Sequence, residues 1–234
     1  MKKTIGILGG MGPLATADLL RKIVTMTKAG CDNEHIRIYI DDNASIPDRT
    51  AAILSGGPDP VPVMADSLRK LESCGADCII MPCNTAHYFL PRLQAMTEVP
   101  FLSMLDAAAE SCARRFPGKT AAILATKGTL ATGLYQKALE ARGVAWRVPD
   151  EAGQDALMRV IYQGVKADAD PETYRKDMED VMHAMERQGA DYFILGCTEL
   201  PVAAGLLGLR QSTLDPTTEL ARAAITFCGY PVKE

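Results

Sequence analysis

Gly189-Ala190-Asp191-Tyr192-Phe193-Ile194-Leu195-Gly196-Cys197-Thr198-Glu199 restates an earlier passage, Gly75-Ala76-Asp77-Cys78-Ile79-Ile80-Met81-Pro82-Cys83-Asn84-Thr85. Both open on Gly-Ala-Asp, run through a short apolar stretch, and stop at a cysteine followed by polar residues. A short apolar run bounded by turn residues on both sides reads as a buried strand of a parallel sheet. The chain therefore builds one device twice, a strand that ends in a cysteine.

The repetition extends upstream. Aligning 4–16 with 120–132 matches Thr4/Thr120, Ile7/Ile123, Leu8/Leu124, Gly12/Gly128, Leu14/Leu130, Ala15/Ala131 and Thr16/Thr132. The offset is close to the one relating Cys83 to Cys197. Two long copies are not a solenoid, which needs more and shorter units. Between the landmarks, apolar strands alternate with amphipathic stretches, the pattern of an α/β fold with mainly parallel sheets. Strands are expected at 4–8, 36–40, 78–81, 101–103, 120–124, 144–148 and 192–195. Helices are expected at 14–28, 63–73, 87–96, 105–115, 132–141, 155–163, 171–188 and 217–226, with a loop over 41–62. The expected architecture is two similar α/β lobes related by a pseudo-twofold axis, covering 1–116 and 117–215, with the active site in the cleft between them. Phe116-Pro117-Gly118 breaks the chain at the crossing. The closing helix, at about 216–228, can pack back on the first lobe.

Composition narrows the function. A chain of 234 residues with 47% hydrophobic and 23% charged residues is globular rather than disordered. A net charge of −4 and the lack of a Lys/Arg cluster argue against nucleic-acid binding. No apolar run has the length of a membrane span, and the first residues lack a cleavable leader pattern, so a cytoplasmic protein is expected. Its seven cysteines then read as thiols. His35, His87 and His183 are scattered, and no metal-ligand spacing is present.

In parallel α/β sheets ligands sit at the carboxyl ends of the strands, where Cys83 and Cys197 are both expected. A helix start behind each favours the thiolate. Asn84, Thr85 and Thr198 are capping types, and N–H groups at those starts suit a carboxylate. The bland alternative is a pair of core cysteines like Cys78 or Cys112. Arg49, in the Pro-rich loop, is either a solvated arginine or part of the site. Lys166 follows the helix ending at Tyr162-Gln163-Gly164. His87 orients a substrate group or simply packs, and Glu199 assists Cys197 or complements its helix dipole. Gly10-Met11-Gly12-Pro13-Leu14-Ala15 matches a dinucleotide-binding pattern. Pro13 sits badly there and the second copy lacks the match, so the segment reads instead as a tight turn, with Met11 at the floor of the site.

Two like acid/base groups from two like half-structures suit a reaction that is almost its own mirror image. One thiolate takes a proton from one face of a carbon, and the other thiol returns one to the opposite face. In keeping with this, the sequence resembles the cofactor-independent Asp/Glu racemase superfamily, most closely its aspartate racemase branch. The resemblance rests on Gly6-Ile7-Leu8-Gly9-Gly10-Met11-Gly12-Pro13, Pro47-Asp48-Arg49-Thr50, Cys83-Asn84-Thr85-Ala86-His87 and Gly196-Cys197-Thr198-Glu199. It implies a homodimer with no pyridoxal phosphate, metal or nucleotide. By the same resemblance Cys83 and Cys197 are the acid/base pair and Arg49 and Lys166 grip a side-chain carboxylate. Asn84, Thr85 and Thr198 then cradle the α-carboxylate and amino group, and Met11 and Glu199 join the substrate-binding set. Glutamate racemases carry Asp-Ser-Gly at the opening and His after the second Cys-Thr. Gly9-Gly10-Met11 and Glu199 here point to L- and D-aspartate as the substrates. Broad-specificity or glutamate-preferring racemases, maleate isomerases, hydantoin racemases and arylmalonate decarboxylases are the rival readings. A non-enzymatic amino-acid binder and a Cys83–Cys197 redox pair are more distant ones.

Overall fold

The computed structural model describes residues 2–233. In chain order its elements are β1 (Ile5–Gly9), α1 (Pro13–Met26), β2 (Ile38–Asp42), α2 (Arg49–Leu54), α3 (Val61–Ser73), β3 (Cys78–Ile80), α4 (Leu90–Gln94) and α5 (Met104–Arg115). There follow β4 (Thr120–Leu124), α6 (Lys127–Thr132), α7 (Leu134–Glu140), β5 (Ala145–Arg147), α8 (Glu151–Met158), α9 (Glu172–Arg187), β6 (Tyr192–Leu195), α10 (Glu199–Leu207), β7 (Thr213–Leu214) and α11 (Pro216–Phe227). Among the described residues, no helix is long and apolar enough to cross a membrane.

By packing, the chain divides into one unit of Met1–Ala107 with Thr217–Glu234 and a second of Ala108–Pro216. The change of unit falls inside α5, ahead of the Phe116-Pro117-Gly118 turn, and α11 belongs almost wholly to the first unit. Each unit is α/β with a parallel sheet. The strand orders are β2-β1-β3 and β5-β4-β6-β7, so each unit's first strand is central and its third lies beside it. That shared order is the three-dimensional form of the sequence repeat.

The repeated Gly-Ala-Asp has a specific job in both units. Gly75 and Gly189 follow the ends of α3 and α9 with φ of +86° and +87°, a left-handed conformation that glycine adopts without steric cost. In the first unit the Gly75 N–H reaches Glu72 O and the Ala76 N–H reaches Leu71 O. In the second, Gly189 reaches Glu186 O and Ala190 reaches Met185 O, the same paired closure of a helix end. The Asp then grips the central strand. Asp77 Oδ2 accepts from Thr4 N–H at 2.7 Å while its own N–H donates to Thr4 O. Asp191 does the same with Thr120, also at 2.7 Å.

From these clamps the registers run Ile5↔Cys78 to Ile7↔Ile80, and Ala121↔Tyr192 to Leu124↔Leu195. Alternation then sorts the side chains. In the first unit Ile5, Ile7, Cys78 and Ile80 pack with α1 and with Leu220, Ala224 and Ile225 of α11. Leu8, Ile79, Met81 and Cys83 face Met64, Leu68 and Leu71 of α3. In the second unit Leu124, Phe193, Leu195 and Cys197 face α8, α9 and α10, and Tyr192 stacks on Phe116 with ring centroids 4.0 Å apart.

Several expected elements differ. The 41–62 loop contains α2, because Asp48 caps it by accepting the Ala51 N–H at 2.7 Å. The expected 87–96 helix starts as a 3-10 turn over Thr85–Phe89, and α4 begins only at Leu90. Pro91 lacks the N–H that an α-helical bond back to His87 requires, and Leu90 N–H instead bonds His87 O with the tighter spacing. Residues 101–103 form only an isolated parallel bridge between Phe101 and Ile79. The expected 132–141 helix begins only at Leu134, as α7, after Gly133 with φ +66°, and a separate unexpected helix, α6, precedes it. The helix after Asp150 passes from α8 into a π-helical segment over Arg159–Gly164.

The turn after β1 is the tightest place in the first unit. Gly10 has φ +87°, and a Cβ there would lie 2.2 Å from the carbonyl carbon and oxygen of Asn43. A Cβ on Gly189 would meet nothing within 4 Å. Gly189→Ala is therefore expected to cost only the conformational penalty, about 1–2 kcal/mol, and Gly10→Ala distinctly more because backbone must move. Urea unfolding of both variants checks the order; equal losses would mean that the Asn43 segment yields freely.

Candidate active site

Cys83 lies three residues beyond the last residue of β3, and Cys197 two beyond that of β6; both are nearly covered, at 7% and 9% exposure. All seven cysteines are free thiols. Both helix-start side chains depart from the expected capping. Asn84 (φ −60°, ψ −47°) and Thr198 (φ −64°, ψ −19°) already have helical backbone, and neither side chain caps. A capping side chain needs an extended backbone to turn its oxygen back onto the first N–H groups. Thr198 instead donates its hydroxyl to Glu199 Oε2 at 3.1 Å. Asn84, Thr85 and Thr198 are all buried beside their cysteines.

Around Cys83, His87 has a packing role rather than a substrate-orienting one. It is buried, its Nδ1–H donates to Cys83 O at 2.9 Å, and its Nε2 accepts the Met104 N–H at 3.0 Å. Both ring nitrogens are thus committed to main chain in the neutral form. Burial pushes its pKa down to about 4, against smaller upward pulls from the Cys83 carbonyl and Asp106. The ring pins the segment carrying Cys83 to the start of α5.

Arg49 opens α2 and is buried rather than solvated. Its Nη1 donates to Ile46 O at 3.1 Å and Pro47 O at 2.9 Å, and its Nη2 to Met11 O at 3.3 Å. Its Nε is buried with no hydrogen-bond partner, and among the described residues no carboxylate pairs with it. Met11 contributes through that carbonyl, since its side chain is buried in the first unit's core. The Gly10 N–H is bound by Thr16 Oγ1 at 3.0 Å, and Pro13 is the first residue of α1.

In the second unit a connected group surrounds Cys197. Cys197 Sγ donates to Glu199 Oε2 at 2.9 Å, and Lys166 Nζ lies 3.0 Å from Glu199 Oε1. Lys166 reaches this position from a 3-10 turn directly after the π-helical segment. Burial, the largest single influence, raises the Glu199 pKa; the Lys166 charge and hydrogen bonds from Cys197, Lys166 and its own backbone N–H outweigh it, leaving the carboxyl below its ordinary value. Glu199 is accordingly a carboxylate at neutral pH.

The sequence reading overlooked Tyr135. It is fully buried, and a Cβ on Gly196 would meet its ring at 3.2 Å, so it packs directly under the Cys197 turn. Burial first, then the Cys112, Asp215 and Cys197 charges, push its phenol well above the ordinary range. Nothing in the α7 pattern marks it apart from a core aromatic. Among the described residues no group of three or more His, Cys, Asp or Glu could hold a metal ion.

The neutral His87 predicts an acid-sensitive fold. The unfolded chain takes up a proton near pH 6.5 that the native ring resists until about pH 4, so stability falls as the pH drops through that window. The loss is about 3 kcal/mol. Urea unfolding of wild type and His87→Gln across the window checks it, and an unchanged slope in the variant would reject His87 as the source.

Residues 8–224 match the family model described as Asp/Glu/Hydantoin racemase. Among solved structures, the Picrophilus torridus aspartate racemase superposes with a TM-score of 0.86 at 32% identity, covering 99% of this chain and 96% of that one. The broad specificity amino-acid racemase RacX of Bacillus subtilis is 26% identical, across 97% of this chain and 99% of its own. A glutamate racemase of Lactobacillus acidophilus is 27% identical, over 94% of this chain and 79% of the relative.

Proposed function

The chain belongs to the Asp/Glu/hydantoin racemase family, and on that premise we propose that it interconverts L- and D-aspartate by proton transfer between two thiols, Cys83 and Cys197, without a cofactor. The observation that carries the dicarboxylate is Arg49. A buried guanidinium held by three carbonyls, with Nε unpartnered and no carboxylate beside it, is an expensive charge to leave uncompensated. A substrate carboxylate supplies the missing anion, and Arg suits it by presenting paired donors.

The relatives' names span aspartate, glutamate and broad-specificity racemases. Aspartate is favoured because Glu199 follows Cys197-Thr198 where glutamate racemases carry histidine. In the reaction one thiolate removes the α-proton and the other thiol protonates the resulting planar carbanion from the opposite face. No electron sink delocalises that charge. Donors aimed at the α-carboxylate must stabilise it, and such a donor is worth about 3–4 kcal/mol in comparable sites. The N–H groups at the start of α10 and beside Asn84 and Thr85 are assigned that role. A cytoplasmic homodimer is part of the same proposal.

Purified protein in D₂O with L-aspartate should yield D-aspartate deuterated at Cα, resolved by chiral chromatography beside L-glutamate and L-alanine. Cys83→Ala and Cys197→Ala should each slow racemisation by about 10³-fold or more. Normal turnover in either variant would end the two-thiol mechanism. Arg49→Ala should weaken aspartate binding by about 10- to 100-fold, the worth of a charge-assisted hydrogen bond, while sparing alanine binding. Equal losses on both would remove Arg49 from side-chain recognition.

A further inference from the structure

The group around Cys197 holds a proton in a place the two-thiol reaction cannot leave it. Sulfur and the Glu199 carboxylate are 2.9 Å apart, and Lys166 holds the other carboxylate oxygen at 3.0 Å. Two unit negative charges about 3 Å apart repel by about 5–6 kcal/mol even at an effective dielectric constant near 20. While Glu199 is ionised, Cys197 is therefore a thiol with its proton aimed at Glu199. For Cys197 to act as the base, that proton has to leave sulfur, and Glu199 Oε2 is already hydrogen-bonded to it as an acceptor.

Lys166 decides whether Glu199 accepts it. The ammonium compensates the carboxylate and makes the ionised form the stable one. Lys166 is also, with Arg49, a cation that the family resemblance gives to the substrate's side-chain carboxylate, and the present inference rests on the proposed dicarboxylate reading. Its side chain is 29% exposed, against 11% for Glu199, so a ligand can reach it. A flexible ammonium with three donors can turn from one anion to another in a way that a fixed guanidinium fork cannot.

We propose that the substrate's side-chain carboxylate competes with Glu199 for Lys166, and that this exchange releases Glu199 to take the Cys197 proton. The step balances within the protein. The Cys197 S–H bond breaks, an O–H bond forms at Glu199 Oε2, and the negative charge passes from carboxylate to sulfur. No oxidant or co-reactant enters. Thr198, which donates to the same oxygen at 3.1 Å, keeps the acceptor aimed at sulfur. Glu199 is thus a positioning and proton-holding residue that acts through Cys197. The thiolate exists only when a dicarboxylate is bound, which makes the second carboxylate a trigger as well as a handle. A monocarboxylic amino acid, lacking it, leaves Lys166 on Glu199 and Cys197 protonated.

The test is a thiolate difference spectrum near 240 nm, taken while succinate, a dicarboxylate with no amino group, is titrated into the Cys83→Ser protein. Succinate binding is followed in parallel by calorimetry. The expected result is a rise approaching one thiolate per chain on saturation with succinate, and none with acetate. The rise should vanish in Cys83→Ser/Lys166→Met and in Cys83→Ser/Glu199→Gln, and be largely lost in Cys83→Ser/Lys166→Arg, whose fixed fork stays on Glu199. With Cys83 intact, Glu199→Gln should lower kcat on aspartate by about 10²-fold with KM little changed, whereas a purely structural role would not abolish the succinate response. Succinate that binds without a thiolate signal overturns the exchange and leaves the racemase reading standing. Succinate that does not bind at all overturns the dicarboxylate reading and this inference with it.

Discussion

One carboxylate in each unit fixes where its cysteine falls. Asp77 and Asp191 each close a two-bond ring at the start of the neighbouring central strand, with Thr4 just ahead of β1 and with Thr120, the first residue of β4, accepting its N–H and donating to its carbonyl. That ring sets the register of β3 on β1 and of β6 on β4. A slip of one residue would turn each apolar side chain to the opposite face and carry the strand-end sulfur with it. The glycine before each Asp brings the chain off the preceding helix at the angle the ring requires. A proton-transfer centre tolerates little displacement, and this short-range clamp is how a three- or four-residue strand is held to a fixed stop.

The two cations of the proposed site are compensated in different ways, and the difference has chemical content. Arg49 rests on the carbonyls of Ile46, Pro47 and Met11, whose partial charges orient the guanidinium without neutralising it. Lys166 faces a full carboxylate. Arg49 therefore presents an unspent charge held in one place, while Lys166 presents one that is already engaged. On the proposed reading, a substrate carboxylate would meet the first as an attraction and the second as an exchange.

Much of this was readable before any coordinates. The duplicated Gly-Ala-Asp, the apolar runs and the cysteines that end them identify the parallel sheets, the likeness of the two halves and the position of both thiols along the chain, because helix closure, strand alternation and strand ends are local properties. What was not readable is side-chain economy. Asn84 and Thr198 look like helix caps, and only their backbone angles show that they are not. His87 sits in a motif that invites a chemical role, yet the N–H of Met104, far along the chain, claims its second nitrogen. Arg49, in a Pro-rich stretch, reads equally as solvated or as part of the site until Asp48 is seen to start a helix there and the guanidinium proves buried. The π-helical segment that carries the chain to Lys166 leaves only Gly164 as a trace, where a Cβ would lie 2.6 Å from the Tyr174 ring.

The return of α11 to the first unit bears on how the molecule is made. Leu220, Ala224 and Ile225 cover Ile5, Ile7 and Ile80, so one face of the first sheet is completed by residues that leave the ribosome long after the sheet itself. The second unit lies between them in the chain and draws its core from a continuous segment. Synthesis order and folding order are therefore inverted: the portion translated first closes last. Until then its uncovered apolar face is the part of the nascent protein most in need of a chaperone's shelter.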